Sequence, residues 1–170
     1  MIQLFKQKSP ANIILLLIFG LLIKLPLFLY PKQVVATEND GQLYRALVAA
    51  INPDDGGGAL GASIVAFVLL YVQALLINYL VNEYRMTVRQ TYLPGMSYLL
   101  ITSLLPEWSM LSAALVSNLL LIIIFTTLFR LYNQADVNSK IYNIGLLAGI
   151  NSFIFFPSLF FLVAIILGLM

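Results

Sequence analysis

The chain contains no cysteine and no histidine, and only 9% of its 170 residues are charged. The absence of cysteine excludes disulfides, thiol catalysis and cysteine-ligated metals, and the absence of histidine removes the usual proton shuttle and the commonest metal ligand. Any acid–base chemistry must therefore use Asp, Glu, Lys or Tyr. The formal net charge of +2 is small and dispersed along the chain, which gives no support for a nucleic-acid partner.

Apolar residues make up 61% of the chain and fall into long runs. Such runs predict an all-α, polytopic membrane helix bundle of about six transmembrane helices in a single transmembrane domain, embedded in a lipid bilayer. The predicted spans are 11–30, 59–81, 91–105, 109–129, 141–156 and 158–170. Several spans are short for a hydrocarbon core about 30 Å thick. The last two are predicted to form a hairpin at Pro157, and one long helix kinked at that proline is the alternative.

One long polar segment, residues 31–58, interrupts the apolar runs and holds four of the seven carboxylates. Within it, apolar residues recur at the spacing of one helical face, which predicts an amphipathic helix lying on the membrane surface. The apolar stripe consists of Leu43, Ala46, Leu47, Ala50 and Ile51, and the polar face carries Gln42, Tyr44 and Arg45. Thr37 or Asn39 is expected to cap the start of this helix.

The basic residues predict the orientation of the bundle. With a cytoplasmic N-terminus, the outside segments hold Lys32 and Arg45, whereas the inside segments collect six cations. These are Lys6, Lys8, Arg85, Arg89, Arg130 and Lys140. Because the cytoplasmic loops of membrane proteins are enriched in Lys and Arg, we expect the N-terminus in the cytoplasm and residues 31–58 on the outer side.

Two carboxylates near the start of the surface helix, Glu38 and Asp40, are the candidate catalytic residues. They face the outer compartment, where a carboxylate can act as a general base or bind a divalent cation together with a phosphate. Acids are also favoured at a helix start by the helix dipole, so a structural role is the alternative. We assign no metal ligand, because the pair Asp54-Asp55 lacks the alternating oxygens of a calcium loop and is expected to form a solvated turn.

Lys24 and Arg45 are the candidate substrate-binding cations. Lys24 lies inside the first span, about 10 Å below its outer end at Pro31. A cation at that depth is costly, which makes it a candidate for binding a carboxylate or a lipid phosphate. The alternative is that the lysine stem carries the ammonium outward to the interface.

Amides and glycines within the spans are expected to hold neighbouring helices together. The amides are Asn78, Asn82, Asn118, Asn143 and Asn151. Gly145 and Gly149 form a pair at four-residue spacing that allows close approach of another helix.

The order of these parts resembles that of polytopic glycosyltransferases of the GT-C class. An N-in first helix is followed by an acidic outer loop, ENDGQLY, that leads into a juxtamembrane amphipathic helix and then into paired short spans. Residues 143–167 are similar to the GT-C pattern of a glycine-containing helix, a short break with proline, and a second apolar helix. This resemblance implies a polyprenyl-phosphate-linked sugar as substrate and Glu38 or Asp40 as the catalytic base. The basic residue common just before that proline is absent, and Phe156 stands there.

More narrowly, the segments MIQLFKQKSPANIILL, YLPGMSYLLITSLLPEWS and FPSLFFL resemble an uncharacterised Bacteroidetes-type family of integral membrane proteins. This resemblance implies a location in the bacterial inner membrane. Members of that family are longer, so we expect the chain to be the N-terminal part of a longer protein.

These patterns favour a GT-C-like integral membrane protein of envelope glycan or lipid-linked sugar metabolism. Transfer activity is expected of the full-length protein and not necessarily of this part of the chain. A non-enzymatic membrane scaffold or assembly factor with membrane-protein partners is the rival interpretation. A transporter ranks third, because it should place ionisable residues in several spans and only Lys24 lies inside one.

The predicted orientation can be tested by cysteine labelling in intact spheroplasts. A membrane-impermeant maleimide should modify Gly57→Cys, in the outer segment, and should leave Arg89→Cys unmodified until the membrane is permeabilised. The reverse labelling pattern would show that the bundle is inserted the other way round.

Overall fold

In the computed structural model, residues 11–37, 40–51, 58–131 and 137–169 are described, and they form helices without a β-strand. The α-helices in these ranges are α1 (Ala11–Ile23), α2 (Leu25–Leu29), α3 (Gln42–Ile51), α4 (Gly58–Glu83), α5 (Leu93–Leu104), α6 (Pro106–Ser109), α7 (Ala113–Leu131), α8 (Val137–Ile154) and α9 (Phe161–Leu169). A 3-10 turn, Phe156–Phe160, connects α8 to α9. The predicted all-α class is confirmed.

Two of the described helices, α4 with 26 residues and α7 with 19, are long and apolar enough to cross a membrane. By length and composition they allow a membrane location. The helices found in the other predicted spans do not meet this criterion within the described residues. The arrangement of six spans therefore stays a prediction.

The first predicted span is broken at Lys24, which separates α1 from α2. Pro26 has no N–H to donate to the carbonyl four residues back, and its ring disfavours a regular helix at this point. The chain instead tightens, so that the N–H of Leu27 donates to the carbonyl of Lys24 at 2.9 Å. The prediction of one continuous helix over 11–30 is wrong because of this proline.

A polar network in the interior ties α4, α5 and α7 together. Gln73 donates from Nε2 to the carbonyl of Leu115 at 2.7 Å, and its Oε1 accepts hydrogen bonds from the hydroxyl of Tyr98 and the amide of Asn118. Asn118 also donates to the Tyr98 hydroxyl at 3.1 Å. The interhelical role predicted for Asn118 is thus confirmed.

The other asparagines have different surroundings. Asn82 binds the backbone of Thr91 through both amide atoms, each at 2.9 Å, and so fixes the turn between α4 and α5. Asn143 is exposed, and the side-chain oxygens of Asn78 and Asn151 are buried without a hydrogen-bond partner among the described residues. The interhelical bonds predicted for these three are therefore not seen in the described part of the chain.

Helices α8 and α9 form a hairpin. Ile165 of α9 lies in one apolar cluster with Ile144 and Ala148 of α8 and Ile124 of α7. In a continuous helix, Ile144 and Ile165 would lie about 31 Å apart, because each residue adds 1.5 Å. The chain must therefore reverse at the 3-10 turn that contains Pro157, and the kinked-helix alternative is wrong.

The helix predicted in the polar segment is present as α3, and its buried face overlaps the predicted apolar stripe in part, because Leu47 and Ile51 of that stripe pack against the core. Tyr44 is 2% exposed and Val48 is also buried, whereas Leu43 of the predicted apolar stripe is 48% exposed. The assignment of Tyr44 to the polar face is wrong, because its hydroxyl donates to the buried carbonyl of Leu111 at 3.1 Å. A tyrosine can be buried in this way when its one polar group has an acceptor.

The start of α3 docks against the end of α8 through Gly41. The N–H of Gly41 donates to the carbonyl of Ile154 at 3.0 Å. A Cβ atom on Gly41 would lie 1.9 Å from the carbonyl oxygen of Phe153, far inside contact distance. Only glycine allows the two backbones to approach this closely.

Gly41→Ala should lower the melting temperature of the purified protein by several degrees, because the new methyl group must push α3 away from rigid backbone. Gly145→Ala is the matched control: no heavy atom lies within 4 Å of its added Cβ. Alanine is also preferred over glycine inside a helix by about 1 kcal/mol, so this control should melt at the same temperature or higher. A Gly41→Ala protein as stable as the parent would contradict the observed docking.

Candidate functional site

The site is centred on Lys24, at the break between α1 and α2. Its side chain is 2% exposed, and Nζ donates to the hydroxyl of Ser109 at 2.6 Å. Ser109, at the end of α6, in turn donates to the carbonyl of Thr102 at 2.9 Å. The proline-induced break and the short α6 together place a buried ammonium beside a fixed hydroxyl.

Lys24 and Ser109 line a cavity of about 250 Å3 between α2, α4, α5 and α6, named here the Lys24 cavity. Its other polar side chains are those of Tyr30, Lys32, Ser63 and Ser103. The remaining lining is mostly apolar and includes Leu27, Ala62 and Leu111. No carboxylate occurs among its described lining residues.

The electrostatics of this cavity favour an anion. Lys24 has the Ser109 hydroxyl as its hydrogen-bond partner and no carboxylate partner among the described residues. A buried ammonium without a counter-charge has an effective desolvation cost of several kcal/mol. An anionic group in the cavity would supply that counter-charge, and the apolar walls would accept hydrocarbon.

Asp40 and Arg45 lie elsewhere, along an open groove between the start of α3 and the α8–α9 turn. This feature, named here the Asp40 groove, has a volume of about 610 Å3. Besides Asp40 and Arg45, its lining includes Gln42, Ser152 and Phe156. The structure thus brings Asp40 and Arg45 together and places Lys24 in a different cavity. From the sequence, Glu38 and Asp40 are the carboxylates nearest to the outer end of the span that contains Lys24, which predicts that the three residues line one cleft. Lys24 and Asp40 do not share a cavity in the structure, and Glu38 lies outside the described residues.

The carboxylate of Asp40 closes a turn before α3. Its Oδ2 accepts hydrogen bonds from the backbone N–H of Thr37 at 2.7 Å and from the Thr37 hydroxyl at 2.9 Å. Thr37 therefore donates to Asp40 and does not cap α3, whose first residue is Gln42. This geometry supports the structural alternative for Asp40, and its catalytic role stays a prediction. Glu38 and the predicted cap Asn39 lie outside the described residues.

Among the described residues, no group of three or more carboxylates that could hold a metal ion is found. Asp54 and Asp55 lie outside the described residues. A divalent cation as cofactor therefore stays untested.

The sequence analysis missed Ser109, Ser63 and Lys32. Ser109 is separated from Lys24 by 85 positions, and nothing in the turn Pro106-Glu107-Trp108 indicates the contact. The one available signal was the depth of Lys24 in its span, which requires some polar partner but does not identify it.

Comparison with known proteins gives no match: no family model, no curated protein and no solved structure is similar to the chain. The function must therefore be argued from the geometry of the site.

Tyr44 forms part of the support of the Lys24 cavity, because it binds the backbone of Leu111, a lining residue. Burial, and secondarily the negative charge of Asp40, raises the pKa of Tyr44 from 10.0 to about 12. The folded state thus keeps its proton at a pH where the unfolded state has lost it. The resulting contribution to stability is complete below pH 10 and is lost as the pH rises from 10 towards 12.

Tyr44→Phe should lower the melting temperature at pH 8, because the Leu111 carbonyl loses its donor. The difference from the parent should shrink above pH 10, where ionisation in the unfolded state destabilises the parent but not the variant. Thermal unfolding measured at half-unit steps from pH 8 to pH 11 tests this. A difference that stays constant across the series would show that the hydroxyl does not titrate with a raised pKa.

Proposed function

We propose that the protein is a multi-pass protein of the bacterial inner membrane that binds the phosphate of an anionic lipid in the Lys24 cavity. The observation that carries this proposal is a buried lysine that lines a largely apolar cavity and whose ammonium has one neutral hydroxyl as its hydrogen-bond partner. A phosphate ester on a hydrocarbon chain fits both parts of this lining. Lys32 at the same cavity adds a second cation for a diphosphate.

The distribution of charges supports a membrane orientation with the Lys24 cavity on the outer side. Arg85 and Arg89 lie in the turn between α4 and α5, Arg130 is in the last turn of α7, and Lys140 is in the first turn of α8. Because these helices are linked end to end, all four cations fall at one end of the bundle. The Lys24 cavity and Asp40 lie towards the other end, which fits an inside rich in basic residues.

In a GT-C-like enzyme of envelope glycan metabolism, the bound lipid would be a polyprenyl-phosphate-linked sugar. Lys24 would hold the phosphate, and Asp40 and Arg45 would serve the transfer from their groove. Two features favour lipid binding over sugar transfer as the function of the Lys24 cavity. Asp40 and Lys24 line different cavities, and Asp40 already accepts two hydrogen bonds from Thr37. In transfer, the acceptor hydroxyl would attack the anomeric carbon as its bond to the phosphate breaks, with Asp40 taking the proton. The two cavities would therefore have to open into each other for the step to occur.

The rival function is a non-enzymatic membrane scaffold or assembly factor. One observation favours it: Gly145 and Gly149 lie on an exposed face of α8, and a Cβ built on either meets no heavy atom within 4 Å. The close helix contact expected for this pair is therefore absent within the described chain. A partner membrane protein would be the natural occupant of that face.

Lys24→Met tests lipid binding, because methionine keeps an apolar stem and removes the charge. The variant should insert and fold at least as well as the parent, since it no longer buries an ammonium. Its affinity for a polyprenyl phosphate in detergent should fall about tenfold or more, the loss expected for a hydrogen bond to a charged group. Lys140→Met, at the opposite end of the bundle, should bind like the parent.

The uncharged polyprenol is the matched ligand control. Parent and Lys24→Met should bind it equally weakly, because it lacks the phosphate. If Lys24→Met binds the phosphate lipid as tightly as the parent does, the lysine is not the phosphate ligand, and the scaffold function becomes the better proposal.

A further inference from the structure

Three polar side chains on three consecutive elements are buried without a hydrogen-bond partner among the described residues. They are Ser117 on α7, Asn151 on α8 and Ser158 in the 3-10 turn, each at most 5% exposed. The atoms without a partner are both serine hydroxyl oxygens and both polar atoms of the Asn151 amide. A buried polar atom in this state is strongly unfavourable, so each of these atoms requires a partner.

The three residues occupy equivalent positions relative to the apolar cluster of the hairpin. Ser117 lies seven residues before Ile124, Asn151 seven after Ile144, and Ser158 seven before Ile165, and the three isoleucines belong to one cluster. In α7 and α8, seven residues make about two helical turns, which returns the side chain to the same face some 10 Å along the axis. Ser158 lies in the 3-10 turn that leads into α9, at the same end of the cluster.

The chain directions bring these positions to the same level. Gly168 of α9 approaches Leu128 of α7, while Ile165 lies with Ile124, so α9 runs parallel to α7. Helix α8 runs in the opposite direction, because it is joined to α9 by the reversing turn. Ser117 and Ser158 precede their isoleucines in the chain, whereas Asn151 follows its isoleucine. Because α8 runs opposite to α7 and α9, all three residues lie at the same end of the hairpin.

We propose that Ser117, Asn151 and Ser158 form one polar layer across the three helices and that this layer binds ordered water. It lies about one turn inside the start of α7, and the neighbouring residue Ser152 lines the open Asp40 groove. Water from the outer compartment thus has a short path to the layer. The inference rests on this layer alone and is independent of lipid binding at Lys24.

The donors and acceptors of the layer select the ligand. The Asn151 amide nitrogen can only donate, the amide oxygen can only accept, and each hydroxyl can do both. A cation would leave the amide nitrogen unpaired, and an anion would leave the amide oxygen unpaired. A neutral molecule that both donates and accepts, such as water, can pair with every kind of atom in the layer, and a buried water makes about two to four hydrogen bonds.

A mutant cycle tests whether the three side chains share a ligand. Asn151→Leu, Ser117→Ala and Ser158→Ala should each lower the melting temperature, because each leaves the water and the other two side chains poorly bonded. In the double and triple variants the loss should be clearly smaller than the sum of the single losses, since the water is already gone. Additive losses, or a higher melting temperature for Asn151→Leu alone, would overturn the shared layer.

Thr127→Val is the matched control on α7. Its hydroxyl donates to the carbonyl of Ile123 in its own helix at 2.8 Å, so it has no part in the layer. Its effect should add to that of Asn151→Leu.

The water itself is tested by NMR on protein labelled with 15N at asparagine, in detergent without glycerol. The side-chain amide of Asn151, assigned by its loss in Asn151→Leu, should show a cross-peak to water with the sign of a long-lived contact. The amide of Asn118, which is bonded to Tyr98 and Gln73, should show none. Absence of the cross-peak at Asn151 would show that the side chains bond one another, and the proposal of a water ligand would be wrong.

Discussion

A buried ammonium needs an acceptor, and several elements at one end of this molecule are arranged so that Lys24 has one. Lys24 can be fully enclosed because Pro26 breaks the first helix there and the short α6 brings the hydroxyl of Ser109 within 2.6 Å. The hydroxyl is itself held by the carbonyl of Thr102. One neutral hydroxyl compensates a desolvated charge only in part. The remaining deficit is the physical reason to regard the Lys24 cavity as a place for an anion.

The helices themselves could be predicted from sequence, because each depends on contributions that are local. Long apolar runs predicted the positions of α4 and α7, the amphipathic period predicted α3, and Pro157 predicted the reversal between α8 and α9. The break at Lys24 was also within reach, since Pro26 stands two positions away. The number of membrane crossings could not be predicted. The described helices in several predicted spans are so short that their length does not show whether they cross a membrane.

The partners of polar side chains could not be predicted, because they depend on the register between helices. Asn118 and Asn151 read alike in the sequence, as single amides in apolar runs. In the structure, one joins Gln73 and Tyr98, whereas the other is buried without a partner among the described residues. The position of Tyr44 was mispredicted for the same reason. Periodicity assigned its ring to the polar face, but the ring is buried and its hydroxyl donates to the carbonyl of Leu111, 67 positions away. The turn formed by Thr37 and Asp40 could not be predicted for a similar reason, since the local backbone geometry determines that the carboxylate lies within reach of the Thr37 N–H and hydroxyl.

Helix α3 is the element that connects the two candidate sites. On one side, Tyr44 holds the carbonyl of Leu111, which lines the Lys24 cavity. On the other, Gly41 docks against the end of α8, beside the groove lined by Asp40 and Arg45. Both contacts lie at the start of this ten-residue helix, so a shift of its first turn would disturb them together. A displacement of the start of α3 would therefore alter the linings of both cavities, although no lining residue is shared between them.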